Sequence, residues 1–204
     1  MKAKDSRFGK LNYCQVCNSK KLQKIIKMGS TGLCDSLLTK KQLKKEKSYP
    51  LNLVRCTNCQ LIQLDYTVNN KEVFHLKYPY KSGITKPLTN LLHSTSKYLR
   101  DNFEFSKNPL AIDIGSNDGT LLRGFKKQKF EVLGVEPTNI AKLANKNGIK
   151  TLQSFFDIQS AKKISEKFQK AEVITGTNIF AHINKLNSFM EGVKLLLDKK
   201  KGLF

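Results

Sequence analysis

The chain has 204 residues, enough for one ordinary domain with its own core plus a small module. Its formal net charge of +21 favours an anionic partner, but only four of its 37 basic residues are arginine, the side chain preferred for bidentate phosphate and base contacts. No apolar run reaches the roughly 20 residues of a membrane-spanning helix, and the amino terminus does not resemble a secretion signal. Composition therefore disfavours membrane insertion and nucleic-acid binding, and we expect a cytoplasmic protein.

Four cysteines form two Cys-x-x-Cys pairs, Cys14 with Cys17 and Cys56 with Cys59. This spacing lets one turn present two sulfurs to a tetrahedral metal. Disulfides are the alternative, but a chain without a secretion signal is expected to keep its thiols reduced. We therefore predict a structural zinc site with four cysteine ligands, no open coordination position and two separated hairpins joined by the metal.

The zinc-binding module is predicted to cover residues 1–75, with short strands near 49–55 and 61–64. Cys34 has no partner at a zinc-ligand spacing. We predict that it is a small buried residue rather than a ligand or a nucleophile.

A loop and a helix are predicted to follow the module, over residues 76–107. The segment Tyr-Pro-Tyr-Lys-Ser-Gly at 78–83 contains a proline and a glycine that favour a loop. Apolar residues at helical spacing then predict a connecting helix over about 86–102. We interpret the whole segment as a substrate loop with its connecting helix.

Predicted strands and helices alternate over residues 108–204, the pattern of a parallel sheet covered on both faces. The predicted strands are 110–114, 131–135, 150–152 and 171–175, and the helices begin at Thr120, at Thr138 as N-cap, at Ser160 and near Asn184. The predicted fold class is therefore α/β, a Rossmann-like doubly wound sheet after a small zinc-binding module. Gly202 suggests the start of a fifth strand, and because an open strand edge is unfavourable we expect the amino-terminal part of a longer protein.

The sequence Asp-Ile-Gly-Ser-Asn-Asp-Gly-Thr at 113–120 follows an apolar strand and opens a helix. Gly115 and Gly119 allow the backbone to pass close to a ligand, and the helix amino terminus directs free N–H groups towards it. These glycines are four apart, unlike the dinucleotide G-x-G-x-x-G, and no P-loop Gly-Lys-Ser/Thr follows. Glu136 ends the next strand, where a carboxylate can hydrogen-bond a ribose. We predict a nucleotide-type site, with a plain connecting turn as the alternative.

S-adenosylmethionine is the ligand that these residues predict. It carries no phosphates, so its site requires hydrogen bonds more than a phosphate cradle. The carboxylates of Asp113 and Asp118 would repel a pyrophosphate, but they suit a ligand with an amino group and a sulfonium.

With these motifs assembled, the chain resembles the sugar C-methyltransferase family, S-adenosylmethionine-dependent enzymes that methylate a ring carbon of a nucleotide-linked keto-deoxysugar. The shared series comprises the two Cys-x-x-Cys pairs, the loop at 78–83, the turn at 113–120, Gly-Val-Glu-Pro at 134–137, Phe-Phe at 155–156 and Asn-Ile-Phe-Ala-His at 178–182. The resemblance implies an amino-terminal zinc-binding domain, a central methyltransferase domain and a further carboxy-terminal domain. The family's Tyr-x-Glu-His segment, which is associated with acid/base chemistry, is not reached by residue 204.

The family chemistry implies a base that removes a proton beside a ketone, after which the enolate carbon attacks the methyl group. His182, after the fourth strand, is the candidate base, and Tyr80 is the candidate donor to the keto oxygen. The predicted cofactor-binding residues are Asp113, Gly115, Asn117, Asp118, Gly119, Glu136, Pro137, Phe156 and Asn178. Alternatives stay open for three of these residues, since His182 could cap a helix, Tyr80 could pack under its loop and Phe156 could belong to the core.

The predicted function is C-methylation of a nucleotide-diphosphate 4-keto-deoxysugar by a monomer that contains zinc and binds S-adenosylmethionine. Two alternatives remain at this point. A zinc-module methyltransferase could act on RNA, and a catalytically incomplete fragment could bind zinc and cofactor without turnover.

Overall fold

The computed structural model describes residues 8–76 and 78–204, which separate into two compact units. The first unit contains the described residues up to His75 together with Asn184–Asn187. The second contains the rest of the described chain. The three-part division at 75 and 107 stays a prediction.

Short antiparallel strands make up most of the first unit. The strands are β1 (Gly9–Lys10), β2 (Leu22–Thr31), β3 (Tyr49–Cys56), β4 (Ile62–Leu64) and β5 (Tyr66–Thr67), and the helices are α1 (Lys40–Leu43) and α2 (Asn70–Val73). The order in the larger sheet is β2-β3-β4, while β1 pairs with β5. The predicted strands near 49–55 and 61–64 are confirmed, whereas β2 is not foreseen by the sequence.

The apolar core of this unit is small. Among its described residues the buried hydrophobic side chains are Leu11, Cys14, Val54, Cys56 and Leu186. The buried side chain of Gln63 accepts a hydrogen bond from the Gln15 N–H at 2.9 Å and donates one to the Tyr13 carbonyl at 3.1 Å. Polar contacts therefore attach the first cysteine turn to β4 where apolar packing is sparse.

Strands and helices alternate in the second unit. They are α3 (Lys86–Asn102), β6 (Leu110–Ile114), α4 (Thr120–Lys127), β7 (Glu131–Val135), α5 (Ile140–Lys146), β8 (Thr151–Leu152), α6 (Ile158–Ser165), β9 (Val173–Thr175) and α7 (Leu186–Leu196). The four strands form one parallel sheet in the order β8-β7-β6-β9, with Ile112 opposite both Leu133 and Ile174. The predicted α/β fold class is confirmed.

Apolar side chains of β6 point alternately to the two faces of the sheet, and each face carries its own buried cluster. Ile112 lies in the cluster that contains Phe189 of α7. Ala111 lies in the cluster that contains Phe125 of α4. Every residue of β6 is buried, as expected for the central strand of a sheet covered on both sides.

Several helix boundaries differ from the sequence expectation. Helix α5 has Asn139, not Thr138, as its N-cap, although the Thr138 hydroxyl accepts a hydrogen bond from the Ile140 N–H at 3.2 Å. Helix α6 begins before Ser160, because the Asp157 carboxylate caps it by accepting from the Ser160 N–H at 2.9 Å. Side-chain capping by Asp157 accounts for the start of α6, whereas Asn139 of α5 makes no side-chain capping hydrogen bond.

At the predicted start of a fifth strand after Gly202, the structure has a single β-bridge and not a strand. Leu203 forms a parallel bridge with Val173 of β9, and its carbonyl accepts a hydrogen bond from the Ile174 N–H at 2.9 Å. The residues after α7 therefore return to the outer edge of β9.

None of the helices in residues 8–76 and 78–204 combines the length and apolarity needed to cross a bilayer.

Candidate functional site

The four predicted zinc ligands meet in the first unit. The sulfurs of Cys14, Cys17, Cys56 and Cys59 all lie within 4.8 Å of one another. The Sγ atoms of Cys14 and Cys59 are 3.5 Å apart and those of Cys17 and Cys56 are 3.6 Å apart, too long for disulfides. Four sulfurs around one zinc ion at about 2.3 Å stand about 3.8 Å apart in a tetrahedron, so this spacing fits the metal.

The two cysteine turns have the same backbone geometry. The first cysteine of each turn accepts a hydrogen bond from the N–H four residues later, at 3.0 Å for Asn18 and 2.9 Å for Gln60. Both of these later residues have positive φ, 60° and 67°. Each turn therefore folds back on its own backbone and directs its two sulfurs towards one point. The residues that follow the two Cys-x-x-Cys pairs differ, so the sequence does not reveal that the turns share this geometry.

Hydrogen bonds and burial set the cysteine protonation in opposite directions. Burial raises the pKa of Cys14 to about 12. The backbone hydrogen bond from Ser19, followed by one from the Asn58 side chain, lowers the pKa of Cys17 to about 6. Since zinc binds thiolates, metal binding must drive the proton off Cys14.

Cys34 is exposed in the loop between β2 and α1, so the prediction that it is buried is wrong. The unit has only a small apolar core, so the sequence around Cys34 does not place this residue in it. The four ligand cysteines form the sole metal-binding group of this kind found within the described residues.

The second group of predicted residues follows the carboxyl ends of parallel strands. The turn at 115–119 follows β6, Glu136 follows β7, and Asn178 and His182 follow β9. The chain continues from β6 to β7 and β8 on one side of β6 and then crosses back to β9 on the other side, so the direction of strand addition reverses at β6. This is the switch point at which open α/β sheets bind their ligands.

The glycine turn adopts the conformations for which its residues are suited. Gly115, Asn117 and Gly119 all have positive φ, at 72°, 50° and 76°. A Cβ atom at Gly115 would collide with the Ile179 side chain, and one at Gly119 would stand 2.9 Å from a carbon of Ile149. Glycine is therefore required at both positions, because φ is positive there and because neighbouring side chains leave no space for a Cβ atom.

Glu136 is buried directly beside this turn. Its carboxylate accepts hydrogen bonds from the Asn117 N–H at 3.0 Å and from the Thr138 N–H at 2.9 Å, one on each oxygen. A carboxylate has about four acceptor positions, so each oxygen keeps one for a further donor. A ribose offers two neighbouring hydroxyl donors that match this arrangement.

The side chains of Asn117 and Asp118 hold the loop that carries Tyr80. The Asn117 amide accepts from the Ser82 N–H at 2.8 Å and donates to the Tyr80 carbonyl at 3.1 Å. The Asp118 carboxylate accepts from the Gly83 N–H at 3.0 Å. Contact of these two residues with the cofactor stays a prediction. The structure shows that they hold the loop, a role that the sequence does not indicate.

Arg123 is a further residue of this site that sequence reasoning missed. Its guanidinium donates to the Asp118 carbonyl at 2.8 Å and to the Thr120 hydroxyl, and lies 3.8 Å from the Asp118 carboxylate. The same carboxylate accepts from the Thr120 N–H at 3.1 Å. The sequence could have indicated Arg123, because arginine is scarce in this chain and this one lies four residues after the turn.

Asp113 is fully enclosed at the end of β6. Its carboxyl oxygen accepts a hydrogen bond from the Thr175 hydroxyl at 2.7 Å. Burial raises the pKa of Asp113 to about 7, against the opposing effect of the Thr175 hydrogen bond and with a further increase from the Glu136 charge. This carboxyl group therefore changes charge near neutral pH rather than in acid.

The remaining predicted residues lie in more open surroundings. Asn178 is exposed with φ of 58°, and His182 is exposed in a short 3-10 helix, Phe180–His182. Tyr80 is 44% exposed, and its proposed role at the substrate stays a prediction. Pro137 is half-buried next to Glu136.

Phe156 packs in the apolar core of the second unit. Its ring meets that of Phe189 edge-on with centroids 5.2 Å apart, and it lies over Gly192 of α7. These contacts support the alternative that Phe156 is a core residue. Stacking of its ring on adenine stays a prediction.

An apolar cleft opens beside the end of β9, with a volume of about 360 Å³. It is lined by Ile174, Thr175, Gly176, Thr177, Phe180 and Phe204. Because Thr175 also holds Asp113, the cleft adjoins the carboxyl edge at which the glycine turn lies.

Comparison with known proteins finds a matching family model and a related methyltransferase. Residues 14–74 match a methyltransferase family model described as "Putative zinc binding domain". Over 196 residues the chain is 26% identical to C-methyltransferase NovU of Streptomyces niveus, an alignment that covers 95% of this chain and 46% of that protein. The chain thus spans less than half the length of that relative.

Solved structures give looser likenesses. One is the plantazolicin methyltransferase BpumL in complex with SAH, with 20% identity, a TM-score of 0.42 and coverage of 52% of this chain and 41% of that chain. Another is magnesium protoporphyrin IX methyltransferase ChlM of Synechocystis PCC 6803 with bound SAM, with 11% identity, a TM-score of 0.40 and coverage of 54% of each chain.

The fold and the sites define a Rossmann-like α/β protein with a four-cysteine zinc-binding module. More particularly, residues 14–74 match the zinc-binding domain of a methyltransferase family, and 196 residues of the chain align with a C-methyltransferase. The methyltransferase resemblance and the structural zinc site predicted from the motifs are confirmed.

We predict that replacing Cys56 by Ser abolishes zinc binding, because three remaining sulfurs leave the tetrahedron incomplete. Metal analysis of purified protein should show about one zinc ion per chain in the wild type and close to none in C56S. The matched control is C34S, which changes the exposed cysteine outside the cluster and should keep the metal. Equal zinc content in C56S and C34S would contradict the four-cysteine site.

We predict that Asp113→Asn stabilises the protein increasingly as the pH rises. The folded-state pKa near 7 lies above the ordinary value of 3.8, so the stability contributed by neutral Asp113 is complete below about pH 4 and is lost as the pH rises through 7. Between pH 5 and pH 8 the advantage of D113N should grow by on the order of 2 kcal/mol.

Denaturant unfolding at several pH values, with zinc saturating, measures this difference. Asp101→Asn removes an exposed carboxylate and serves as the control variant measured beside D113N. Parallel pH profiles for wild type and D113N would show that Asp113 is not the titrating group.

Proposed function

We propose that this chain contains the zinc-binding and cofactor-binding parts of an S-adenosylmethionine-dependent C-methyltransferase that acts on a nucleotide-linked 4-keto-deoxysugar. The observation that carries the proposal is the buried carboxylate of Glu136, which lies beside the glycine turn with acceptor positions to spare. The match of residues 14–74 to a methyltransferase zinc-binding domain and the similarity to NovU support it.

The acidity of this edge supports S-adenosylmethionine rather than a phosphate-rich nucleotide. Asp113, Asp118 and Glu136 all end or follow central strands and are all buried. A pyrophosphate would be repelled by these groups, while a ligand with a sulfonium and an ammonium group would be attracted. The positive φ angles of Gly115 and Gly119 shape the turn along which the adenosyl group would lie.

Glu136 would accept hydrogen bonds from the two ribose hydroxyls, and Asn178 would lie beside the methionine part. When bound, S-adenosylmethionine supplies an electrophilic methyl group. Glu136 stays fixed while it binds, because the N–H groups of Asn117 and Thr138 already hold its two oxygens. The cofactor would therefore meet a preorganised acceptor.

The sugar chemistry requires a base and an oxygen-stabilising donor. His182 would take the proton from the carbon beside the ketone, and its imidazole is exposed at the carboxyl end of the sheet. Tyr80 would donate a hydrogen bond to the oxygen that gains negative charge as the enolate forms. The enolate carbon would then bond to the methyl carbon as the bond from that carbon to sulfur breaks.

A diphosphate-linked sugar suits the charge of the chain. The excess of 37 basic over 16 acidic residues creates a positive field that attracts a dianionic substrate. The four-cysteine zinc site has no open coordination position, so its proposed role is to hold the module together and not to touch substrate.

We predict that S-adenosylhomocysteine binds the wild type and binds Glu136→Gln about 10- to 100-fold more weakly, since hydrogen bonds to a charged acceptor are replaced by weaker ones. Isothermal titration calorimetry measures the affinity. Glu131→Gln is the matched control, because it removes an exposed carboxylate from the opposite end of the same strand. Equal affinities for E136Q and E131Q would remove Glu136 from the ribose role.

The same protein distinguishes the proposed substrate from RNA. A thymidine diphosphate 4-keto-deoxysugar should bind in the presence of S-adenosylhomocysteine, with an affinity that is reduced in Tyr80→Phe. Tight, salt-sensitive binding of RNA together with no binding of the sugar nucleotide would contradict the sugar assignment and favour an RNA methyltransferase.

A further inference from the structure

The loop that carries Tyr80 is attached to the glycine turn mainly by one side chain. Asn117 accepts from the Ser82 N–H at 2.8 Å and donates to the Tyr80 carbonyl at 3.1 Å, so it bridges two points of the loop. Asn117 as a whole is buried, with 7% of its surface exposed. Both of its hydrogen-bonding ends are therefore used to hold the loop.

The backbone of Asn117 faces the cofactor side of the same turn. Its φ of 50° lies in the left-handed region, which non-glycine residues adopt at a cost unless their surroundings hold them there. In this conformation its N–H donates to the Glu136 carboxylate at 3.0 Å. The side-chain bonds to the loop favour the backbone conformation that directs this N–H at Glu136.

We propose that Asn117 is a positioning residue that couples the Tyr80 loop to the Glu136 carboxylate. This inference rests on the proposed function, in which Tyr80 contacts the substrate and Glu136 contacts the cofactor. Release of the loop lets Asn117 leave the left-handed region, and Glu136 then loses one of its two backbone donors. Because such coupling is reciprocal, an occupied cofactor site also orders the substrate loop.

A second attachment keeps the loop close to the turn when the first is broken. The Gly83 N–H donates to the Asp118 carboxylate at 3.0 Å, and Arg123 donates to the carbonyl of the same aspartate at 2.8 Å. Loss of the Asn117 bonds alone is therefore expected to loosen the loop without unfolding the unit.

Ser82→Pro removes one donor of the Asn117 attachment and leaves every residue of the turn unchanged. Proline has no N–H, and position 82 is the first residue of a 3-10 helix, Ser82–Ile84, where proline is tolerated. The preceding residue, Lys81, is extended with φ of −131° and ψ of 129°, as proline requires. Ser82→Ala is the matched control, because it loses the same hydroxyl and keeps the N–H.

Two measurements on the full chain compare these variants. Amide hydrogen exchange by NMR should show the Asn117 N–H exchanging about fivefold faster in S82P than in S82A, as expected for the loss of one hydrogen bond. Calorimetry should show S-adenosylhomocysteine binding about fivefold more weakly to S82P than to S82A. Asn117→Ala should weaken binding similarly, and S82P should add little in the N117A background.

Equal exchange rates and equal affinities in S82P and S82A would overturn the coupling while leaving the proposed function intact. Full additivity of S82P and N117A would overturn it too, because the two changes would then act independently. Failure of both wild type and S82A to bind S-adenosylhomocysteine is a different result, which rejects the proposed cofactor and this inference with it.

Discussion

The hydrogen bond between the Asn117 N–H and the buried Glu136 carboxylate connects the ends of the two central parallel strands. It is possible only because Gly115, Asn117 and Gly119 turn the chain through left-handed conformations directly after β6. The same turn places Asp118 to cap α4 through the Thr120 N–H. Strand pairing, helix start and the placement of a negative acceptor at the sheet edge thus depend on one five-residue connection.

The zinc-binding module is held together by a different kind of interaction. Its few buried apolar side chains cannot supply a core of ordinary size; among the described residues the non-cysteine members are Leu11, Val54 and Leu186. With zinc bound, metal–sulfur bonds at the four cysteines would stabilise the module together with polar contacts such as those of Gln63. The second unit has two apolar clusters and needs no such ion to pack its sheet. Metal removal is therefore expected to affect the two units unequally.

The sheet was predictable because buried parallel strands leave continuous apolar runs, as at 110–114, and the cysteine pairs reveal zinc by spacing alone. Strand β2 was not, because nearly all of its side chains are exposed and no alternation marks it. Nor could the sequence show that Asn117 and Asp118 hold the Tyr80 loop, since those contacts join residues some 35 positions apart. Sequence patterns predict helices, strands and turns, whereas the contact between the glycine turn and the Tyr80 loop is formed only in the tertiary structure.

The most direct test of the account is an experimental structure of the chain with S-adenosylhomocysteine bound. We expect both ribose hydroxyls to lie within hydrogen-bonding distance, about 3 Å, of the Glu136 carboxylate, while the Asn117 and Thr138 N–H groups keep their present bonds to it. A ligand bound away from the carboxyl ends of β6 and β7, or a ribose that makes no contact with Glu136, would contradict it.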